Sequence, residues 1–394
     1  MLNTNSQKLK NKLRIAILAE NTDGFVKPMA QGLKRMFQKT DNNARVFVDA
    51  HKNLYLYNVG FKDNIKSFFL NIFRNFRSII FIFRLIFFDV FILVASVPGA
   101  YLKTNTPLLE KIRKFFPKKI IVLYDVLYLP TTTTNNGTLW YSKLADNFSN
   151  DSRIETKKNY GMERFDYYLI ASVVTEYPLQ KLEHPLSIIG INFEDETLFA
   201  PSKNSVIALV DFERKDTNPV EREIVIQALK ETETEYIELK SFLPSKKIRE
   251  IYRKCALFFP AHRESFGLPI CELQLCGAAV FVPYKYWVPA YHIKDDLFSS
   301  EKGRLSSNFI VYNNNLEELK QKILAFKQNY KPEKIVETFR NDYPAFYEGN
   351  ITELQKFIDL CKTKTITGQT HKNYITINNA IDYKQKINIA KYYD

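Results

Sequence analysis

One pattern constrains the fold more than any other: short apolar runs alternate with amphipathic stretches, and the alternation runs through the chain twice. Arg14–Glu20 (RIAILAE), Ala44–Ala50 (ARVFVDA), Asp89–Ser96 (DVFILVAS), Lys119–Tyr124 (KIIVLY) and Phe165–Ser172 (FDYYLIAS) read as buried strands, with a helix over Lys27–Gln38. The pattern restarts with strands at Ser205–Val210, Glu235–Leu239, Ala256–Pro260 and Ala278–Pro283, and with helices at Glu221–Glu231 and Ser245–Cys255. Buried strands separated by helices predict βαβ units and a parallel sheet. Domains commonly take ~100–200 residues, so 394 residues suit two such units. The expected fold is α/β, with two Rossmann-like domains facing across a cleft. The expected division is 1–190, 191–345, and a C-terminal helix and polar tail over 346–394 that returns to the first domain or stands apart. Within that last part, Glu333–Cys361 reads as helical with a break at Pro344.

The stretch richest in chemistry is Phe258–Pro283, FFPAHRESFGLPICELQLCGAAVFVP. An apolar strand ends at Pro260, and a polar loop follows at its carboxyl end, where open α/β sheets bind ligands. Gly267 permits close backbone approach or a positive φ. Pro269 suits the first turn of a short helix, and Gly277 is placed to end it. Free amides at the helix start, from Gly267 and Leu268, suit a phosphate. Glu264 in the loop and Glu272 in the helix flank that anion site, where they would accept hydrogen bonds from sugar or ribose hydroxyls. Beside an anion site at a helix start, the Glu272 carboxyl is expected to titrate low.

These residues resemble the E-x7-E signature of retaining GT-B glycosyltransferases, the group called glycosyltransferase family 4. Glu264–Pro269 (ESFGLP), Glu272, then Gly277 and an apolar strand follow the family pattern, and so does the upstream run from Leu243-Pro244 to Tyr252 and Cys255. The usual Glu-Ala-Met-Ala is Glu272-Leu-Gln-Leu here. The resemblance implies that Glu264 contacts the donor sugar near the reacting centre and that Glu272 binds the nucleotide ribose. The backbone of Ser265, Phe266, Gly267 and Leu268 would hold the sugar and diphosphate. The family clamps the diphosphate with an Arg and a Lys from the loop after the first strand of the second domain. Here that loop is Asp211–Lys215, and adjacent Arg214 and Lys215 resemble a variant of the clamp; otherwise they belong to a solvated charged loop. Gly24 would let the backbone approach the donor, or simply form a turn. Asp125 after the fourth strand would contact the acceptor, or cap a loop. Tyr284, Tyr286, Trp287 and His292 line the cleft or lie on a surface loop.

The implied reaction moves a sugar from a nucleoside diphosphate sugar to a hydroxyl of a glycan or lipid-linked acceptor, with retention, in cell-envelope polysaccharide synthesis. Two alternatives stand beside it. One is a non-catalytic sugar-nucleotide or membrane-surface binding protein on a degenerate fold of this kind. The other is a glycoside hydrolase or phosphorylase using both glutamates as acid and base. The sequence contains no D-x-D, G-x-G-x-x-G, Walker A or H-E-x-x-H pattern. No RNA- or DNA-binding motif is visible either, so no cofactor, no metal and no nucleic-acid partner are expected.

Charge bears on location. Residues 1–120 hold 21 Lys and Arg against 7 Asp and Glu, whereas the remainder holds 35 against 36. A one-sided basic field attracts anionic partners. Within that third, Ile65, Phe68, Phe69, Ile72, Phe73, Phe76, Ile79, Ile80, Phe83 and Phe87 recur at helical spacing, and Lys66, Asn71, Arg74, Asn75, Arg77 and Ser78 lie off the stripe. A helix over Lys62–Phe88 is expected, either packing its stripe on the sheet or lying at an anionic membrane surface, with Phe81 and Leu85 as further apolar surface. No run is long and apolar enough for a transmembrane helix. The start MLNTNSQKLKNKLR is not a secretory signal, and four cysteines without a C-x-x-C pair fit a reducing compartment. The expected location is cytoplasmic, peripheral at the inner face of the plasma membrane.

Overall fold

The computed structural model describes residues 12–19, 26–40, 42–48, 65–94, 112–128, 165–174, 185–194, 206–213, 217–262, 264, 266–297 and 303–368. Two sheets organise them. The first contains β1 (Arg14–Ala19), β2 (Asn43–Val48), β3 (Val90–Val94), β4 (Ile120–Tyr128), β5 (Tyr167–Val174) and β6 (Leu186–Ile188), in the order β2-β1-β3-β4-β5-β6. The second contains β7 (Ile207–Val210), β8 (Tyr236–Glu238), β9 (Cys255–Phe259), β10 (Ala279–Val282) and β11 (Phe309–Val311), in the order β11-β10-β9-β7-β8. Every ladder is parallel, for example Ile17 opposite Ile92 and Leu209 opposite Phe258.

Parallel sheets are covered on both faces, so their strands are apolar throughout rather than alternating. β3 (VFILV) and β9 (CALFF) are buried at every position. Among the helices, α1 (Val26–Lys39) packs on β1, β2 and β3 through Met29, Leu33, Met36 and Phe37, which recur every three or four residues. β6 and β11, each three residues long, were not expected from the sequence. The fourth strand runs past its expected end at Tyr124 to Tyr128, with a bulge between Asp125 and Val126.

α2 (Ile65–Leu85) corrects the sequence reading of its faces. Phe81 and Leu85 are not extra surface: they are buried, and Phe81 meets Phe47 of β2 edge-on at 5.5 Å. Ser78 is buried and Asn71 and Asn75 are half-buried, so this part of the polar side turns inward, while Arg74 and Arg77 stay exposed. The Phe and Ile stripe faces outward, with Phe69, Phe73, Phe76, Phe83 and Phe87 each more than 60% exposed. Ten of the sixteen large apolar side chains exposed among the described residues fall within 69–87, so this is one continuous patch. Among the described residues no helix is long and apolar enough to cross a membrane.

In the second half, α3 (Pro219–Glu231), α4 (Ser245–Tyr252), α5 (Leu268–Leu275) and α6 (Leu316–Asn329) surround the sheet. The C-terminal helices are α7 (Pro332–Asp342), the single turn α8 (Pro344–Tyr347) and α9 (Ile351–Lys362). Pro344 opens α8, where its missing N–H costs nothing. α9 packs back on β6 and α1 of the first sheet, and Phe357 lies 4.9 Å from the Tyr167 ring. The chain leaving the first sheet is clasped to this return. Ile191 N donates to Ala345 O (3.0 Å), Phe193 N to Tyr347 O (2.8 Å), and Asn350 N to Ile189 O (2.7 Å). Gly190 has φ +73°, and a Cβ there would lie 1.7 Å from Ala345 O, so only glycine allows this approach. Asn192 fastens three segments: its amide donates to Glu348 O, while its side-chain and backbone oxygens accept from Arg35 of α1.

Candidate active site

β9 lies between β7 and β10, and its carboxyl end delivers the chain into the loop before α5. Gly267 caps α5 and Pro269 sits in its first turn. α5 carries only two polar side chains, Glu272 and Gln274, and is buried at every residue except Pro269, which fixes the loop ahead of it. At the far end Gly277 takes φ +78°, closes the helix with its amide on Gln274 O, and leads into β10.

The two glutamates come together here. Glu264 folds back so that its Oε1 accepts from the Gly267 amide at 2.9 Å, while Oε2 lies 3.3 Å from His262 Nε2. The Gly267 amide is thus not free, as expected from the sequence, but held by the neighbouring carboxylate. A Cβ on Gly267 would fall 2.5 Å from the Glu264 carboxyl carbon, so a larger residue here would displace that carboxylate; no positive φ is involved. Glu272 lies in the second turn of α5, 6% exposed, with Oε1 accepting from Arg249 Nη2 (2.7 Å) and Nε (3.2 Å) of α4. Burial pushes its carboxyl above the ordinary range and the Arg249 charge opposes this, with a net rise. That corrects the expectation that Glu272 titrates low: desolvation outweighs the helix start, because Glu272 is one turn beyond the free amides.

Asp211, Phe212, Phe242, Arg249, Glu264 and Glu272 line one pocket at the carboxyl ends of β7 and β9. Phe242 is exposed and meets Phe212 edge-on at 6.2 Å. The pocket therefore joins a pair of rings, a buried carboxylate–guanidinium pair, a second carboxylate and a helix start. The side chains of Phe266 and Leu268 are both in the core. Phe266 stacks on Tyr291 with centroids 6.2 Å apart. Tyr291 Oη also bonds the carbonyls of Phe266 (2.8 Å) and Gly267 (2.9 Å), pinning the loop from beneath.

Several expectations are revised or fall elsewhere. Asp125 is neither in a loop nor capping one: it is fully buried within β4, its Oδ1 accepting from Val126 N and its Oδ2 without a partner among the described residues. Burial raises its carboxyl well above the usual range. It stands on the first sheet, whereas both glutamates stand on the second. Trp287 and His292 are buried, with His292 Nε2 2.8 Å from Lys285 O, so they belong to a packed turn rather than a surface loop. Gly24, Arg214, Lys215 and Ser265, and the side chain of Tyr286, lie outside the described residues. Sequence reasoning missed Phe212, Phe242, Arg249 and Tyr291. The first three follow strands of the second sheet or open its helices, so their position at carboxyl strand ends was the available signal.

No protein-family profile matches the chain. No curated protein matches its sequence. Solved structures do match in fold. An alpha-glucosyltransferase in complex with UDP and a 13-mer DNA containing a HMU base superimposes with a TM-score of 0.52 at 12% identity, covering 89% of this chain and 99% of that one. An alpha-glucosyltransferase in complex with UDP-glucose and DNA containing an abasic site gives 0.51 at 10% identity, with 89% and 99% covered. The chain has the GT-B fold, two Rossmann-like α/β domains facing across a cleft.

Proposed function

We propose that this protein is a retaining glycosyltransferase that moves a sugar from a nucleoside diphosphate sugar to a hydroxyl of a glycan or lipid-linked acceptor. The observation that carries the reading is the pocket that gathers Glu264, Glu272, Arg249 and the start of α5 at the carboxyl ends of β7 and β9. Sugar transfer passes through an oxocarbenium-like state while a diphosphate departs, so an enzyme gains most by stabilising that anion and placing the acceptor. In this reading the helix start holds the diphosphate and Glu272 accepts from the ribose diol. Glu264 meets the donor sugar, giving up the Gly267 amide as the donor enters. Phe212 and Phe242 offer faces to the base. Arg214 and Lys215 complete the diphosphate clamp, and Gly24 gives the donor close approach. The chemistry proposed needs no metal.

The enzyme would work at an anionic membrane surface on envelope polysaccharide, held there by the outward face of α2 and the basic first third of the chain. Each basic residue near such a surface contributes ~1 kcal/mol, so several suffice for peripheral binding.

Thermal shift against UDP-, GDP- and other nucleotide sugars, followed by nucleotide release with candidate acceptors, tests the reading. Glu272→Ala should weaken nucleotide binding by ~1.5–3 kcal/mol, and Glu264→Ala should act mainly on turnover. Free sugar released without acceptor-dependent nucleotide release would favour a hydrolase. Wild-type kinetics in both variants would remove the glutamates from the site.

A further inference from the structure

β2 is the edge of the first sheet, and α2 lies against it. Between them runs a groove of about 430 Å³, separate from the pocket of the second sheet. Its walls combine Phe47, Phe73 and Phe76 with three arginines, Arg45, Arg77 and Arg84. Arg45 lies 5.3 Å above the Phe47 ring, so its position is set by the strand. Among the described residues no carboxylate lines the groove, and none of the three arginines is ion-paired. Three uncompensated guanidinium groups around an apolar floor suit a ligand that is anionic at one end and hydrocarbon at the other. Guanidinium groups bind phosphate through paired N–H donors. Phe73, Phe76 and Ile80 belong both to the groove and to the exposed stripe of α2, so the groove opens onto the patch that would meet a bilayer.

The geometry points to a binding site for one anionic phospholipid, its phosphate among Arg45, Arg77 and Arg84 and its acyl chain along Phe47, Phe73 and Phe76. This rests on the membrane location proposed above and adds to it a defined lipid partner. α2 would then do more than lie on a charged surface: it would take one lipid out of it.

The test is titration of the full chain with dihexanoyl phosphatidylglycerol kept below its micelle concentration. Dihexanoyl phosphatidylcholine and glycerol 1-phosphate are the comparisons. Phosphatidylglycerol should bind, while each comparison, lacking either the net charge or the chain, should bind at least about tenfold more weakly. The double variant Arg77→Gln with Arg84→Gln, both on the outer face of α2, should lose about tenfold in affinity. Arg74→Gln, on the same helix but outside the groove, should change it less than about twofold. Equal losses from Arg74→Gln would mean diffuse charge, and equal binding of glycerol 1-phosphate a bare anion site; either overturns the proposal. So would wild-type affinity in the double variant, or no lipid binding by a chain that self-associates through Phe73 and Phe76. Nucleotide-sugar thermal shifts on the same samples give a separate readout. Failure of the wild type there removes the transferase reading and leaves the lipid result to decide this one.

Discussion

Glu272 is a carboxylate kept from water, and its usefulness to a ribose depends on its being charged. Arg249 is the charge that offsets the desolvation, with both of its contacts on Oε1. Replacing Arg249 with Met would raise the Glu272 carboxyl further. Nucleotide binding that needs the carboxylate should then fail at the acid end of the range and recover as pH rises. Calorimetric titration with UDP between about pH 5.5 and 9 should show the affinity of Arg249→Met displaced to higher pH, with Arg249→Lys in between. Superimposable pH profiles would show that Arg249 does not set the charge of Glu272. This pair was hidden in the sequence because its partners are 23 residues apart on different helices. Glu264, Gly267 and Gly277 were legible because loop, cap and stop are local and each residue type has a backbone reason to be there. Asp125 was misplaced for the same reason in reverse: nothing local says that a strand carries on through an aspartate.

Among the elements, strands were easier to read than faces. A parallel sheet writes itself as uninterrupted apolar runs, so nine of the eleven strands were expected and only the three-residue β6 and β11 were not. α2 shows the limit. Its period of three and four was plain, but a period states that a stripe exists, not which way it points. The helix is anchored by Phe81 and Leu85, which join a cluster that includes Phe47, Phe88 and Phe91, and the longer stripe is left outside. The two sets should therefore respond oppositely to substitution. Phe81→Ala and Leu85→Ala should each cost ~2–5 kcal/mol in urea unfolding, because both side chains leave cavities. Phe73→Ser and Phe76→Ser should stay within about 0.5 kcal/mol of the parent. Large losses from the second pair with small ones from the first would put the stripe against the protein.

For the molecule as a whole, the basic third and the outward helix belong to the first sheet, while the carboxylate pocket belongs to the second. A donor site and a membrane face so divided should be separable by experiment. Sedimentation with vesicles containing phosphatidylglycerol should fall as salt screens the basic field, and nucleotide binding in the buried pocket should change much less. Binding to vesicles that ignores both salt and lipid charge would remove the electrostatic part of the membrane reading. The two-unit architecture was legible because the strand–helix alternation restarts. The clasp that ties 189–193 to 345–350 was not, since it consists of backbone bonds between segments far apart in sequence. That clasp has a consequence for any attempt to divide the chain. A break between Glu194 and Val206 would put α8 and α9 on the second fragment, although α9 has its packing partners, β6 and α1, on the first. The first fragment would be left with an apolar face and the second with the helix that covers it. The two pieces, produced separately, should find each other and reassemble, and neither should be well behaved alone.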